Sequence, residues 1–244
     1  MYVHEIEFGV VSEKFHLWAP HAHNNLSVMS RKEGLIMMRL FRDRKTPNRW
    51  FSHRVWKSKT HSDAALASPE VQLAVKTNPE LGLSAGFKNV VREFELIDFV
   101  FGLEGPDAYR MREGFEGFCY HIDVHVPKEV QSQWHPYRRN SASVFARQPG
   151  LLSYEIARDL HNPEMFLVMR SFETREAAMC GPEDKPTEEV KLVVKPATDY
   201  KLYAKARGSI YAQCDVWDMV YGPGAKDALK TFMKGLKPPA YTPL

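Results

Sequence analysis

The chain has 244 residues, 44% of them hydrophobic, with 33 Lys and Arg against 30 Asp and Glu and a net charge of +3. That suits one large domain or two of about 120 residues, and charge scattered without a basic stripe or interleaved aromatics argues against nucleic acid as a partner. No apolar run nears the roughly 18–20 residues of a membrane helix, no signal core opens the chain, and Cys119, Cys180 and Cys214 form no disulfide or thiolate metal pattern, so a cytoplasmic protein with reduced thiols and no membrane partner is expected.

In chain order, Val3 to Val11 alternates as a strand, and helical spacing follows to about Lys32, with Pro20 as a start or kink and Gly34 as the stop. Strand Leu35 to Arg42, a turn at Asp43 to Asn48 and strand Arg49 to Lys57 make a hairpin. Ser62 to about Val75 reads as a second helix, and Asn89 to Phe101 as a fourth strand. Gly102 to Gly114, with Gly, Pro and charged residues, reads as a linker. Further strands are expected at Phe118 to Val126, Leu151 to Arg158, Met165 to Glu173 and Ala206 to Trp217. Around Glu188 to Val194, prolines at 182, 186 and 196 leave a helix and a loop insertion both open. Leu229, Phe232, Met233 and Leu236 mark a last helix over Ala225 to Leu236, ahead of a Pro-rich end.

The two runs of elements are copies. A shift of 116 residues lays Trp18, Pro20, Asn24, Arg42, Asp43 and Arg54 on Trp134, Pro136, Asn140, Arg158, Asp159 and Arg170, and Ile6 and Val10 on Ile122 and Val126. The expected division is therefore 1–102, a linker at 103–114, a second copy at 115–222, and a helix with tail at 223–244.

The β-α-β-β-α-β order resembles the antibiotic biosynthesis monooxygenase domain of the dimeric α/β-barrel superfamily. The resemblance rests on a helix-ending Gly before a strand, an Arg-Asp turn, a second strand and a W/F-x-S/T helix entry, in the segments around Gly34 to Ser58 and Gly150 to Thr174. It implies an α+β fold in which two ferredoxin-like repeats form an intramolecular dimeric α/β barrel, a pseudo-dimer within one chain with room for further oligomerisation. It also implies a monooxygenase acting with O₂ on a small aromatic or polyketide-like substrate. The superfamily also holds haem-degrading enzymes, isomerases, cyclases and binding proteins, so those readings stay open. Haem-degrading members resemble Val55 to Lys59, but their distal Trp and axial His fall at about Ala65 and Val75 here, which argues against that chemistry.

One stretch of strand, HIDVH at 121–125, puts His121, Asp123 and His125 on one face and Phe118, Tyr120, Ile122 and Val124 on the other. If the apolar face packs on helices, the resemblance points the polar face into the barrel of the second half. There His121 or His125 would act as base with Asp123 orienting it. Tyr154, grouped with these as catalytic, and Arg158 are candidate donors to a substrate anion, and Cys214 a further substrate contact. Arg158 and Asp159 also read as a structural turn pair, since Arg42 and Asp43 repeat them. No cofactor is expected. If iron, another divalent metal or haem is bound, one of His121, Asp123 and His125 is the expected ligand, because His121 and His125 lie roughly 13 Å apart along a strand and cannot share one ion.

Overall fold

In the computed structural model, residues 1–80, 82–83, 86–102, 117–179 and 205–235 are described. The linker 103–114, Cys180, the region around Glu188 to Val194 and the Pro-rich tail lie outside them.

The first copy runs β1 (Tyr2–Gly9), α1 (Phe15–Met29), β2 (Leu35–Asp43), β3 (Arg49–Trp56), α2 (Lys59–Ala67), α3 (Pro69–Glu80) and β4 (Val90–Phe101). The second runs β5 (Gly117–His125), α4 (Gln131–Phe145), β6 (Leu151–Asp159), β7 (Met165–Phe172), the short α5 (Arg175–Met179) and β8 (Arg207–Tyr221), with α6 (Ala225–Gly235) after it. The single helix expected from Ser62 to Val75 is two helices. Pro69 bars the residue before it from helical backbone, and Ser68 accordingly sits at φ −68°, ψ 139°, with Pro69 opening α3. The last strand runs four residues further than expected, to Tyr221.

Following hydrogen-bonded neighbours, the strand order is β4-β1-β3-β2-β8 in the first copy's sheet and β8-β5-β7-β6-β4 in the second's. The long strands β4 and β8 each serve two compact units. The first unit comprises Met1–Glu95 with Cys214–Leu229, and the second Leu96–Gln213 with Lys230–Leu244. In the first, the end of β8 pairs with β2, Met37 opposite Tyr221. Gly222 follows, donating to the Ile36 carbonyl at 3.1 Å, and any Cβ there would meet the Leu35 carbonyl oxygen at 2.1 Å. The second unit repeats the arrangement: Gly102, after β4, donates to Leu152 at 3.0 Å, and its Cβ would fall 1.7 Å from the Leu151 carbonyl oxygen.

Each unit buries one sheet face under its helices. In the first unit, Trp18 of α1 contacts Trp50, Trp217, Phe15 and Phe8, with ring centroids 4.5–6.0 Å apart. In the second, Trp134 of α4 packs on Phe166 at 4.7 Å. Burying one large aromatic contributes a few kcal/mol, so the duplicated tryptophan anchors each helix to its sheet. The repeated Asp is a turn residue in both copies. Asp43 accepts from Lys45 N, and Asp159 from the backbone of His161 and Asn162.

Candidate active site

The helical face of α1 at Trp18, His21, Ala22 and Asn25 follows the i, i+3, i+4, i+7 rule and looks at the sheet. In the first unit it leaves a cavity of about 700 Å³. Ile6 and Phe8 on β1 and Met38 and Leu40 on β2, each pair two residues apart, supply apolar walls from the sheet side, and Gln72 and Leu73 of α3 close the outer side. Ser52 and Arg54 of β3 are the polar part of the sheet wall.

Arg54 is 4% exposed, and its Nε donates to Ser52 Oγ at 3.0 Å. Burial pulls its pKa down to about 10, which leaves it cationic at neutral pH. Among the described residues no carboxylate pairs with it, although buried cations are ordinarily paired. Its register neighbour on β1 is His4, also buried. Burial first, and the Arg54 charge second, push the His4 imidazole down to about 4, so it is neutral beside the guanidinium at pH 7. The other polar terminus buried in the cavity wall is Asn25 Oδ1, which among the described residues accepts no hydrogen bond.

The opposite face of the same sheet is charged and internally matched. His53 Nδ1 lies 2.9 Å from Glu5 Oε2, with both side chains no more than 1% exposed, and Arg92 lies 3.5 Å from Glu5. Arg49 donates from two nitrogens to Glu7 at 2.8 Å and reaches Asp43 at 3.3 Å. The bidentate Arg49–Glu7 pair suits a structural role.

The residues anticipated from the sequence are divided between faces of the second unit. His121, fully buried, lies on the face away from the helices, with its ring 6.4 Å from that of Tyr211. Its register neighbours across β7 and β6 are Met169 and Glu155. Asp123 shares that face and is half-buried, while His125, at the strand end, pairs with Glu164 at 3.3 Å near the surface. Tyr154 is on the other face, within the helix-packed core: it stacks on Phe145 with centroids 5.5 Å apart and accepts from Arg138 at 3.5 Å. Alternation along β6 puts Arg158 on that face too; its charge acts on His135 of α4. Cys214 is buried on β8 in the first unit, opposite Asp43. Within the second unit, His121 and Asp123 thus share one sheet face and Tyr154 and Arg158 the other.

Sequence reasoning passed over Arg54 and the cavity around it. The signal was present in the repeat. Arg54 and Arg170 match, but the residues that surround them differ, with Met29, Ala22 and Met38 in the first copy against Phe145, Arg138 and Tyr154 in the second. In the second unit Arg170 lies 4.3 Å from the centre of the Phe145 ring and 5.6 Å from that of Tyr154, so aromatic faces cover the cation.

The chain is thus a duplicated α+β protein of the barrel type, with a cavity between helices and sheet in its first unit. The sequence pattern of the antibiotic biosynthesis monooxygenase family matches residues 1–77 and 117–179, well over half of the chain, and the chain belongs to that family. Among solved structures it is similar to a candidate monooxygenase from Fusobacterium nucleatum (TM-score 0.70, 9% identity, covering 90% of this chain and 94% of that one). A candidate monooxygenase from Lactobacillus acidophilus gives a TM-score of 0.68 at 12% identity, covering 90% and 96%. An anthrone oxidase-like protein gives 0.54 at 13%, covering 90% and 92%. At these identities the likeness is one of fold. No curated protein matches the chain in sequence. No described helix is long and apolar enough to cross a membrane.

Proposed function

We propose that the chain is a monooxygenase that oxidises a small aromatic or polyketide-like ketone with O₂ in the first-unit cavity, without a tightly held organic cofactor. The observation that carries this reading is Arg54, a buried cation on the wall of an otherwise apolar cavity, with no carboxylate partner among the described residues. Its role is to hold the oxyanion that forms when a C–H conjugated with the substrate carbonyl is deprotonated. His21, on the facing helix, lines the same cavity and is the candidate base. The enolate passes one electron to O₂, and the two radicals join through a C–O bond to give a hydroperoxide. Loss of water from it breaks the O–O bond and leaves a new carbonyl. The balance is R₂CH₂ + O₂ → R₂C=O + H₂O. The substrate supplies all four electrons, so the stoichiometry calls for no external reductant. The apolar walls suit a flat aromatic skeleton, and the anthrone oxidase-like neighbour makes an anthrone the reasonable first substrate.

The test is oxygen uptake with 1,8-dihydroxyanthrone, measured above the spontaneous rate. Wild-type protein is expected to accelerate uptake, and Arg54→Leu to reduce the acceleration by about 10²–10³-fold, the usual effect of removing one oxyanion donor. No acceleration by the wild type, or an unimpaired Arg54→Leu, would sink the reading. Product formation without oxygen uptake would replace it with an isomerase or cyclase. A second reading puts the base in the second copy at His121, with Asp123 or His125 assisting, and draws support from the complete burial of His121. Under it, His121→Ala abolishes uptake while Arg54→Leu does not.

A further inference from the structure

We infer that Ser52 is a positioning residue: its hydroxyl holds Arg54 through Nε, so that the outer edge of the guanidinium, Nη1 and Nη2, is presented to an anionic oxygen of the ligand. The inference rests on the oxidation reading for the role of Arg54. Ser52 and Arg54 stand two residues apart on β3, so both side chains share the sheet face that looks at the helices. Arg54 Nε donates to Ser52 Oγ at 3.0 Å, which turns the long side chain back along its strand. Ser52 lies opposite Ile6 on β1 and Leu40 on β2, both of which line the cavity, whereas Arg54 lies opposite His4 and Met38. The bond therefore draws the charge from its own row of the sheet toward the row walled by Ile6 and Leu40. Among the described residues Ser52 is the hydrogen-bond partner of Nε, and Nη1 and Nη2 have none. Neither is sealed in the protein, since no nitrogen of Arg54 is both buried and without a partner. They form the parallel pair of donors that suits an oxyanion. The carboxylate two strands away does not compete for them: Glu93, opposite His4, already accepts from Tyr2 Oη and Lys59 Nζ.

The other copy lacks this device. Its arginine, Arg170, has Val168 two residues before it, where Arg54 has Ser52. Arg170 Nε is buried and bonds no described residue, and the rings of Phe145 and Tyr154 lie against the guanidinium instead. A hydroxyl that served only to satisfy a buried arginine would be needed equally in both copies. It stands where the arginine lines a cavity.

The experiment follows, by absorbance under argon, the ionisation of bound 1,8-dihydroxyanthrone as pH is raised, in the wild type, Arg54→Leu, Ser52→Thr and Ser52→Val. Thr keeps the hydroxyl, and Val keeps only its shape. On the wild type the probe is expected to ionise at lower pH than on Arg54→Leu. Ser52→Val should raise the midpoint by about one pH unit, a tenfold loss of anion binding on the scale of one hydrogen bond to a charge. Ser52→Ala, which adds no bulk, should do the same, and Ser52→Thr should keep the wild-type midpoint. A wild-type midpoint in Ser52→Val and Ser52→Ala, or equal shifts in Ser52→Val and Ser52→Thr, would overturn the inference, because a hydroxyl with a purely structural role changes the urea midpoint and not the ionisation of the probe. A probe that fails to bind, or that ionises alike on the wild type and Arg54→Leu, would overturn it together with the oxidation reading. The expected midpoints without oxygen uptake in air would overturn the oxidation reading alone.

Discussion

Met38 and Tyr154 occupy the same place in two copies of one fold, and the space beside them differs. In the first unit, Met38 and Ala22 line, with Arg54, a cavity of about 700 Å³. In the second, Tyr154, Arg138 and Phe145 pack on one another and on Arg170. The backbone frame is conserved down to its details: both copies shift register after the first residue of the hairpin's first strand, and both place a glycine near φ +76° directly before that strand, the helix itself having ended earlier, at Met29 or Phe145, and not at the glycine as expected. Duplication has kept the scaffold and changed the side chains beside the repeated arginine. A buried arginine is tolerable in either setting, through aromatic faces in one copy and, on our reading, through a bound anion in the other.

The comparison is tested most severely at the shared anchor. If the duplicated tryptophan is a packing residue in both copies, Trp18→Ala and Trp134→Ala should each destabilise the protein by about 3–5 kcal/mol, as large core truncations do. Urea denaturation measures both. A Trp18→Ala loss below about 1 kcal/mol would instead make Trp18 a ligand-stacking residue, held for function.

The next effect depends on pH and separates the copies. His4 has an ordinary pKa of 6.5, reduced in the fold to about 4, mainly by burial and then by Arg54, with Lys59 adding to the reduction and Glu93 and Asp63 opposing it. The folded state therefore binds fewer protons than the unfolded chain between these values. Stability from this group is fully present above pH 6.5 and is lost as pH falls toward 4, by about 2–3 kcal/mol in all. The repeat partner of His4 is Tyr120, so the second copy has no imidazole at this place. Replacing His4 by Phe should flatten the acid limb of the stability curve between pH 6.5 and 4. His135 in the second copy, half-buried, is lowered in the same direction by burial and by Arg158 and Arg139. His135→Phe should therefore remove the remainder, and an acid limb unchanged by His4→Phe would show that the imidazole is solvated.

A smaller effect comes from exchanging the residues that distinguish the cavities. Tyr154→Met removes a ring that Phe145 and Arg170 pack against and should cost about 1–3 kcal/mol. Met38→Tyr adds a ring where space exists, so its cost should stay below about 1 kcal/mol, while binding of 1,8-dihydroxyanthrone weakens at least about tenfold. Equal destabilisation by the two exchanges, read from urea midpoints, would mean that the first-unit space is not available to a side chain and would weaken the case for a ligand there.

The sequence exposed the fold better than the site, for a physical reason. Strand and helix positions follow from period and from Gly and Pro, which act locally, so the duplicated element order and the strands of both hairpins were legible. Where a long-range or neighbour effect ruled, reading from periodicity failed. The single helix through Ser68 ignored the constraint of Pro69 on the residue before it, and the last strand runs past Trp217 because β2 supplies its hydrogen bonds. HIDVH drew attention since its chemistry is visible in one short stretch. The cavity has no such local mark: Arg54, Asn25 and Met38 belong to three elements, and what distinguishes them is the size of their neighbours. That information lies in the positions at which the two copies differ.

The smallest effect concerns the entry to the helix that follows each hairpin. Ser58 Oγ accepts from the backbone of His61 at the start of α2, and Thr174 Oγ1 accepts from the backbone of Ala177 at 3.1 Å at the equivalent position. Removing either cap by substitution to Ala should cost about 0.5–1 kcal/mol. Ser58 has a second task, because its hydroxyl also meets His61 Nδ1 at 2.7 Å. That bond holds the imidazole over Gly34, where a Cβ would lie only 2.3 Å from the ring. At Gly150 the corresponding neighbour is the Ala177 methyl group, at 2.7 Å, which needs no hydrogen bond to stay in place. Ser58→Ala should therefore be the more costly of the two by a few tenths of a kcal/mol, measured as a difference in urea midpoint at constant slope. Equal costs would reduce the role of Ser58 to capping alone, and with it the claim that the hydroxyl helps to hold the His61 ring against Gly34.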